Sequence, residues 1–196
     1  MKTDIILSGV GGQGILSIAA VIGEAAVREG LYMKQSEVHG MSQRGGDVQS
    51  NLRLADTPIA SDLIPLGHAD LIISLEPMEG LRYLPYLKKD GWLVTNTRPF
   101  VNIPRYPDME EIRAELDRLP HVVALDVEAI AQEAGSPRTA NIVMLGASTP
   151  FTGIAYDRIA GGIRSIFGRK GTEIVEMNLK ALQAGRDAAQ KTKKTM

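Results

Sequence analysis

The chain has 196 residues, 44% of them apolar, and a formal net charge of −1. That length suits one domain with a sizeable core, the apolar share excludes a largely disordered chain, and near-neutrality gives no electrostatic footprint for nucleic acid or an anionic membrane. There is no cysteine, which excludes disulfides, thiolate metal sites, cysteine nucleophiles and iron–sulfur ligation by this chain and fits a cytoplasmic setting.

The start, Lys2 followed by IILSGVGGQGILSIAAV, has the outline of a secretory leader. Asp4, the glycines and Gln13 interrupt its apolar run, however, and a strand, a glycine turn and a helix account for every residue better. No apolar run approaches the roughly 20 residues of a membrane span. His39, His68 and His121 lie far apart without ligand spacing, so no metal site is expected.

Thr3–Ser8 reads as a buried strand from its continuous apolar run. The turn GVGGQG, residues 9–14, follows, then a helix over Ile15–Glu29 with Leu16, Ala19, Ala20, Gly23, Ala26 and Val27 near one face and Gly30 as its C′ residue. Tyr32–Glu37 is a second strand and Val38–Gly46 a loop. Asp47–Ala55 alternates and reads as a strand antiparallel to its predecessor, since only a loop joins the two. Ala69–Ser74 is a further buried strand. Pro77 opens a helix to Leu84, and Trp92–Asn96 is a strand entered through an Asp90-Gly91 turn. Phe100–Pro107, rich in proline, is a loop.

Asp108 is an N-cap for a helix over Met109–Leu119, with Glu111 reaching back. Val122–Asp126 is a strand and Val127–Ala134 a helix stopped near Gly135-Ser136-Pro137. Ala140–Ala147 is apolar nearly all round and reads as a buried core helix. Asp157–Phe167 and Thr172–Gln190 are the last helices, with Val175, Leu179 and Leu182 on one stripe of the second. The alternation predicts an α/β fold: a three-layer αβα single domain over residues 1–190, Rossmann-like, with a mainly parallel, possibly mixed sheet. Residues 191–196 are a basic, disordered tail. The helices of the last third flank one side of the sheet or meet a partner.

Two constellations carry candidate chemistry. The first, Gly9, Gly11, Gly12, Gln13 and Gly14, fits G-x-G-x-x-G after a strand and before a helix, where the helix N-terminus favours an anion. A dinucleotide site needs an acidic partner about 20 residues on, and Glu37 is the only nearby candidate. No Lys-Ser/Thr follows the glycines, so the Walker pattern is absent. The bland alternative is a turn that packs helix on strand without a ligand. The second constellation is EVHGMSQRGGDV, residues 37–48, which gathers His39, Ser42, Gln43, Arg44 and Asp47 among Gly40, Gly45 and Gly46. Arg44 can grip a carboxylate or phosphate and His39 can move a proton near neutrality. The bland alternative here is a self-capping surface loop. Asn141, Gly146 and Asn178, on the last helices, read as core fixtures.

GVGGQG, QSEVHGMSQRGGDVQSNLRLA at residues 35–55, ANIVMLGA at 140–147 and EMNLKALQAG at 176–185 together resemble the gamma-type domain of 2-oxoacid:ferredoxin oxidoreductases, and within that family the beta subunits that serve indolepyruvate. The glycine turn alone is unspecific, whereas EVHGMSQRGG in its place after it is highly specific. The resemblance implies a subunit inactive alone, in a complex that converts an aryl 2-oxoacid and coenzyme A into aryl-acetyl-CoA, carbon dioxide and reduced ferredoxin. It places thiamine diphosphate and the iron–sulfur clusters on a large alpha subunit, leaves this chain without a cofactor of its own, and makes ferredoxin a partner through the complex. Gly9, Gly11, Gly12, Gln13, Gly14, Ser42, Gln43, Arg44, Gly45 and Gly46 would then line the coenzyme A path or the subunit interface, with His39 and Arg44 the possible catalytic groups. An independent NAD- or FAD-binding protein is the competing reading of the glycine turn.

Overall fold

A computed structural model describes residues 1–39, 45–101 and 103–193, with His39 and Lys193 described by backbone alone. Its described strands are β1 (Lys2–Val10), β2 (Tyr32–His39), β3 (Asp47–Ala55), β4 (Ala69–Ser74), β5 (Leu87–Asn96) and β6 (Val122–Leu125). They form one six-stranded sheet in the order β2-β3-β1-β4-β5-β6. β3 runs antiparallel to both its neighbours, whereas β1, β4, β5 and β6 are mutually parallel. The mixed, mainly parallel sheet expected from the sequence is therefore present, with β3 as its reversed strand.

The helices are α1 (Ile15–Arg28), α2 (Pro77–Arg82), α3 (Met109–Asp117), α4 (Val127–Ala134), α5 (Ala140–Ser148), α6 (Tyr156–Phe167) and α7 (Thr172–Lys193). Strand residues alternate between two cores. Ile5, Leu7, Leu71, Ile73, Val94 and Val123 face α1 and the four C-terminal helices. Ile6, Ile72, Leu93 and Val122 face the side carrying Tyr83, Ile112 and Leu116, from the α2–α3 region. These are the three layers, and the helices of the last third do flank one side.

Two helix crossings depend on glycine. A Cβ on Gly146 of α5 would lie 2.0 Å from the Leu182 carbonyl oxygen of α7, and one on Gly185 of α7 would lie 1.9 Å from the Val143 carbonyl oxygen of α5. The backbones touch because both side chains are missing, in reciprocal positions. α1 and α6 meet in the same way, since a Cβ on Gly162 would lie 2.7 Å from the Val21 carbonyl oxygen. α5 is buried from Ile142 to Ser148, so ANIVMLGA is core, as its composition predicts.

Several boundaries differ from the sequence reading. β2 runs to His39, so Val38 and His39 belong to the strand rather than to the expected loop, whose residues 40–44 lie outside the described residues. Asp90-Gly91 is no entry turn: both lie inside β5, whose pairing with β4 shifts between Leu87 and Trp92. Gly91 is needed there because a Cβ would sit 2.7 Å from Leu87 Cδ1 and 3.0 Å from the Ala69 carbonyl oxygen. α2 stops at Arg82, and Leu84–Tyr86 form a separate 3-10 turn. On α1 the buried residues are Ile15, Ile18, Ala19, Val21, Ile22, Gly23, Ala25 and Ala26, while Leu16, Ala20 and Val27 are exposed. Gly30 does end α1, at φ 74°, with Leu31 N bonded to the Ala26 carbonyl and Gly30 N to that of Val27, a Schellman closure. Asp108 caps α3 by accepting from Glu110 N at 2.9 Å. α7 continues to Lys193, into the segment expected as a tail.

Gly146→Ala and Gly185→Ala each force the α5–α7 backbones apart and are expected to cost about 1–3 kcal/mol or more. Denaturant unfolding measures this, and Gly161→Ala on α6, where a Cβ meets nothing within 4 Å, is the matched control.

Candidate functional site

The C-terminal ends of β1 and β4 carry the glycine turn, and the β1–β3 ladder carries the second loop to it. The ladder ends with Val10 opposite Asp47, but the pairing continues beyond it. Gly11 N donates to the Gly46 carbonyl at 2.9 Å, and Gly45 N to the Gly11 carbonyl at 3.3 Å. The first constellation is thus stitched by backbone bonds to the end of the second. Of the other predicted residues, Gly9, Gly12, Gln13 and Gly14 belong to this rim, whereas Ser42, Gln43, Arg44 and the side chain of His39 lie outside the described residues.

The turn is held by Gln13. Its Oε1 accepts from Val10 N at 2.7 Å and its Nε2 donates to the Leu75 carbonyl at 3.1 Å, so one amide joins the ends of β1 and β4. A Cβ on Gly9 would lie 2.7 Å from that Oε1. Gly14 is the N-cap of α1 at φ 87°, in the left-handed region that favours glycine. It has no side chain to cap the first turn, in which Ser17 N already donates to the Gly14 carbonyl at 3.1 Å while the earlier N–H groups have no side-chain cap. Asn141, at the start of α5, donates from Nδ2 to the Gly14 carbonyl at 3.2 Å, which makes it part of the turn rather than only a core fixture. Asn178, by contrast, donates to the Ile174 carbonyl within its own helix.

A hollow of about 320 Å³ opens beside the turn, lined by Gly12, Gln13, Gly14, Glu128, Arg138 and Asn141 among others. A neighbouring hollow of about 430 Å³ shares Arg138 and Asn141 and adds Ser17 and Lys170. Two cations, an uncapped helix start and amide groups therefore surround space large enough for part of a ligand. Arg138 and Lys170 were not singled out from the sequence. Arg138 directly follows the helix-stopping Gly135-Ser136-Pro137, and only the fold brings it beside residues 12–14. Asn96 organises the far wall: its Nδ2 donates to the Leu75 carbonyl at 3.2 Å and to Glu128 at 3.0 Å. Burial raises Asp126, but the Ala129 N–H and Arg98 outweigh it and hold its carboxyl below the ordinary range.

The dinucleotide reading meets a geometric obstacle. β3 stands between β1 and β2, so Glu37 on β2 lies two strand spacings from β1, roughly 10 Å at about 4.8 Å each. A ribose-binding acid is expected beside the glycine strand. Among the described residues no cluster of three or more His, Asp or Glu could hold a metal ion, and no helix is long and apolar enough to cross a membrane.

The sequence profile of the family described as pyruvate ferredoxin/flavodoxin oxidoreductase matches residues 4–188. The chain is 39% identical to the indolepyruvate oxidoreductase subunit IorB of Archaeoglobus fulgidus, covering 96% of each chain. It is 39% identical to the IorB of Pyrococcus horikoshii, covering 95% of each. The crystal structure of a keto/oxoacid ferredoxin oxidoreductase gamma subunit from Geobacter sulfurreducens superposes with a TM-score of 0.71 at 25% identity, over 96% of this chain and 99% of that one.

Gln13→Ala removes the amide that joins β1 to β4 and leaves Val10 N without that partner. A loss of about 1–3 kcal/mol is expected, measured by denaturant unfolding. A change within about 0.5 kcal/mol would show that the bridge holds nothing. With the two glycine-bearing loops stitched on one rim and the matches running nearly end to end, the chain belongs to the pyruvate ferredoxin/flavodoxin oxidoreductase family, whose matched members are subunits of oxidoreductase complexes.

Proposed function

We propose that this chain is the non-cluster-bearing subunit of a cytoplasmic 2-oxoacid:ferredoxin oxidoreductase that acts on an aryl pyruvate such as indolepyruvate. The observation that carries the substrate reading is the 39% identity, over nearly full length, to chains named as indolepyruvate oxidoreductase subunits. The reaction takes the 2-oxoacid and coenzyme A to aryl-acetyl-CoA and carbon dioxide, with two electrons passing to ferredoxin. Residues 1–190 act as a single gamma-type domain, and its last helix carries on to Lys193.

The large partner subunit supplies thiamine diphosphate for decarboxylation and the clusters for electron transfer. The lack of cysteine here agrees with that division. This chain's own contribution is positional. The rim of Gly9–Gly14 and Gly45–Gly46 faces the partner or the coenzyme A path. The uncapped α1 N-terminus with Arg138 suits a phosphate, and Arg44 on the same loop adds a further charge-assisted contact. No step of this reading needs the chain to hold NAD or FAD, and the strand order disfavours it.

Reconstitution tests the reading. The isolated chain should be colourless and inactive, and addition of the large subunit should produce indolepyruvate- and coenzyme A-dependent reduction of ferredoxin. Saturable nicotinamide binding or a bound flavin in the isolated chain would contradict it. In the complex, Arg44→Ala or Arg138→Ala should raise the KM for coenzyme A about tenfold, the equivalent of about 1.4 kcal/mol, while carbanion formation from the 2-oxoacid stays intact. Unchanged coenzyme A kinetics in both would remove the contact.

A further inference from the structure

The outer edge of the sheet carries groups that the glycine rim does not use. β2 is the last strand on one side, so its far edge has no strand beside it. It runs for eight residues, Tyr32–His39, without proline or glycine. The opposite edge, β6, has only four residues. A long edge is ordinarily guarded by a proline, a bulge or a charge that refuses further pairing. β2 pairs with β3 without a shift of register. Its one lysine, Lys34, donates Nζ to the Ala60 carbonyl at 3.0 Å and so turns toward the β3–β4 connection.

Both ends of the β1–β3 ladder show which way the backbone groups point. Asp56 N donates to the Met1 carbonyl at 3.1 Å, and Gly11 N to the Gly46 carbonyl at 2.9 Å. Even-numbered residues of β3 therefore bond to β1, and the alternation of antiparallel pairing aims the odd-numbered ones at β2. Those odd residues stand opposite Tyr32, Lys34, Ser36 and Val38. The N–H and C=O groups of Met33, Gln35 and Glu37 are left pointing away from the sheet. Side chains alternate as well: Met33 packs against the core on the α1 side, so Tyr32, Lys34, Ser36 and Val38 share the other face. There Tyr32 is 50% exposed and Val38 55%.

We propose that this edge binds a second copy of the chain, two β2 strands pairing antiparallel about a two-fold axis at Gln35 and joining two sheets into one. Such an axis stands perpendicular to the sheet and keeps each face on its own side, so residues opposite one another are both odd or both even. The registers that overlap most of the strand centre on Lys34, Gln35, Ser36 or Glu37, and the sequence of β2 discriminates among them. Centring on Lys34 sets two lysines in direct opposition, and centring on Glu37 sets two glutamates so, which is destabilising. Centring on Ser36 faces Lys34 with Val38 and leaves Tyr32 opposite residue 40, past the strand end. Centring on Gln35 pairs Tyr32 with Val38 at each end, Lys34 with Ser36, and Met33 with Glu37. In that register the two exposed apolar side chains cover each other and the outward backbone groups find partners.

The junction lies on the far side of β3 from β1, so it makes no use of the rim of Gly9–Gly14 and Gly45–Gly46. One chain can face a second copy through β2 and a large subunit through the rim, and the junction does not depend on which ligand or partner the rim takes. An edge-to-edge contact buries less than a standard interface, so the dimer of the isolated chain is weak and concentration-dependent.

The chain has no cysteine, so single introduced cysteines report the register. In the proposed pairing Gln35 faces its own copy at about 5.5 Å between Cα atoms, within disulfide range. Glu37 lies roughly 13 Å along the strand from its copy, beyond that range. Under mild oxidation of the full chain, Gln35→Cys should form disulfide-linked dimers about tenfold faster than Glu37→Cys, or more. Sedimentation from about 10 µM to about 1 mM should show a monomer–dimer equilibrium in the wild type. Gln35→Lys, which sets two cations opposite each other on the axis, should raise its dissociation constant about tenfold or more. Equal crosslinking rates, an unchanged constant in Gln35→Lys, or a wild-type chain that stays monomeric throughout would each overturn the proposal. A chain that is monomeric alone but loses its hold on the large subunit through Gln35→Lys would assign the edge to that subunit and overturn it as well.

Discussion

The site rests on one constraint, the antiparallel pairing of β1 with β3. Nine residue pairs run from Lys2 opposite Ala55 to Val10 opposite Asp47. The ladder does not stop where the strands do, because Gly11 exchanges backbone bonds with Gly45 and Gly46. A parallel neighbour would have sent the chain away across a helix. The reversed strand instead returns it directly, and its leading loop arrives beside the turn that ends β1. The same insertion moves β2 out of reach of a nucleotide ribose. One topological choice thus joins the two loops and disfavours the dinucleotide reading.

The helical layer is arranged around that edge. Gly146 and Gly185 let α5 and α7 touch backbone to backbone, and the contact packs ANIVMLGA fully into the core. Held there, α5 presents Asn141 to the Gly14 carbonyl, and the turn before it presents Arg138 to the hollow beside residues 12–14. On the opposite face the turn after α2 carries Tyr83 to Asp47. The rim is supported from both sides of the sheet by residues that contribute no backbone to the loops themselves.

Much of this was legible in the sequence. The buried strands, the glycine turn, the capped and Schellman-closed helices and the reversed β3 all follow from local pattern, because each is decided within a few residues. Asp90-Gly91 misled because a glycine that only avoids Leu87 and the Ala69 carbonyl looks the same as one that makes a turn. Leu16 and Val27 misled because α1 packs on α6 as well as on the sheet, which rotates its buried face. Arg138, Lys170 and Tyr83 lie far in sequence from the loops they approach. Only tertiary placement brings them there, and no spacing rule registers it. Gln13 was expected to line the coenzyme A path or the subunit interface, and its amide joins Val10 and Leu75, a bridge no local pattern announced.

The central claim is that the glycine turn and the second loop act as one surface in the assembled complex. Hydrogen exchange on the full chain, alone and with the large subunit, tests it most directly. The account predicts that amides in residues 9–14 and 38–47 gain protection together, while those of α3 on the far face do not change. Protection confined to α2 and α3, with both loops exchanging as in the free chain, would contradict it.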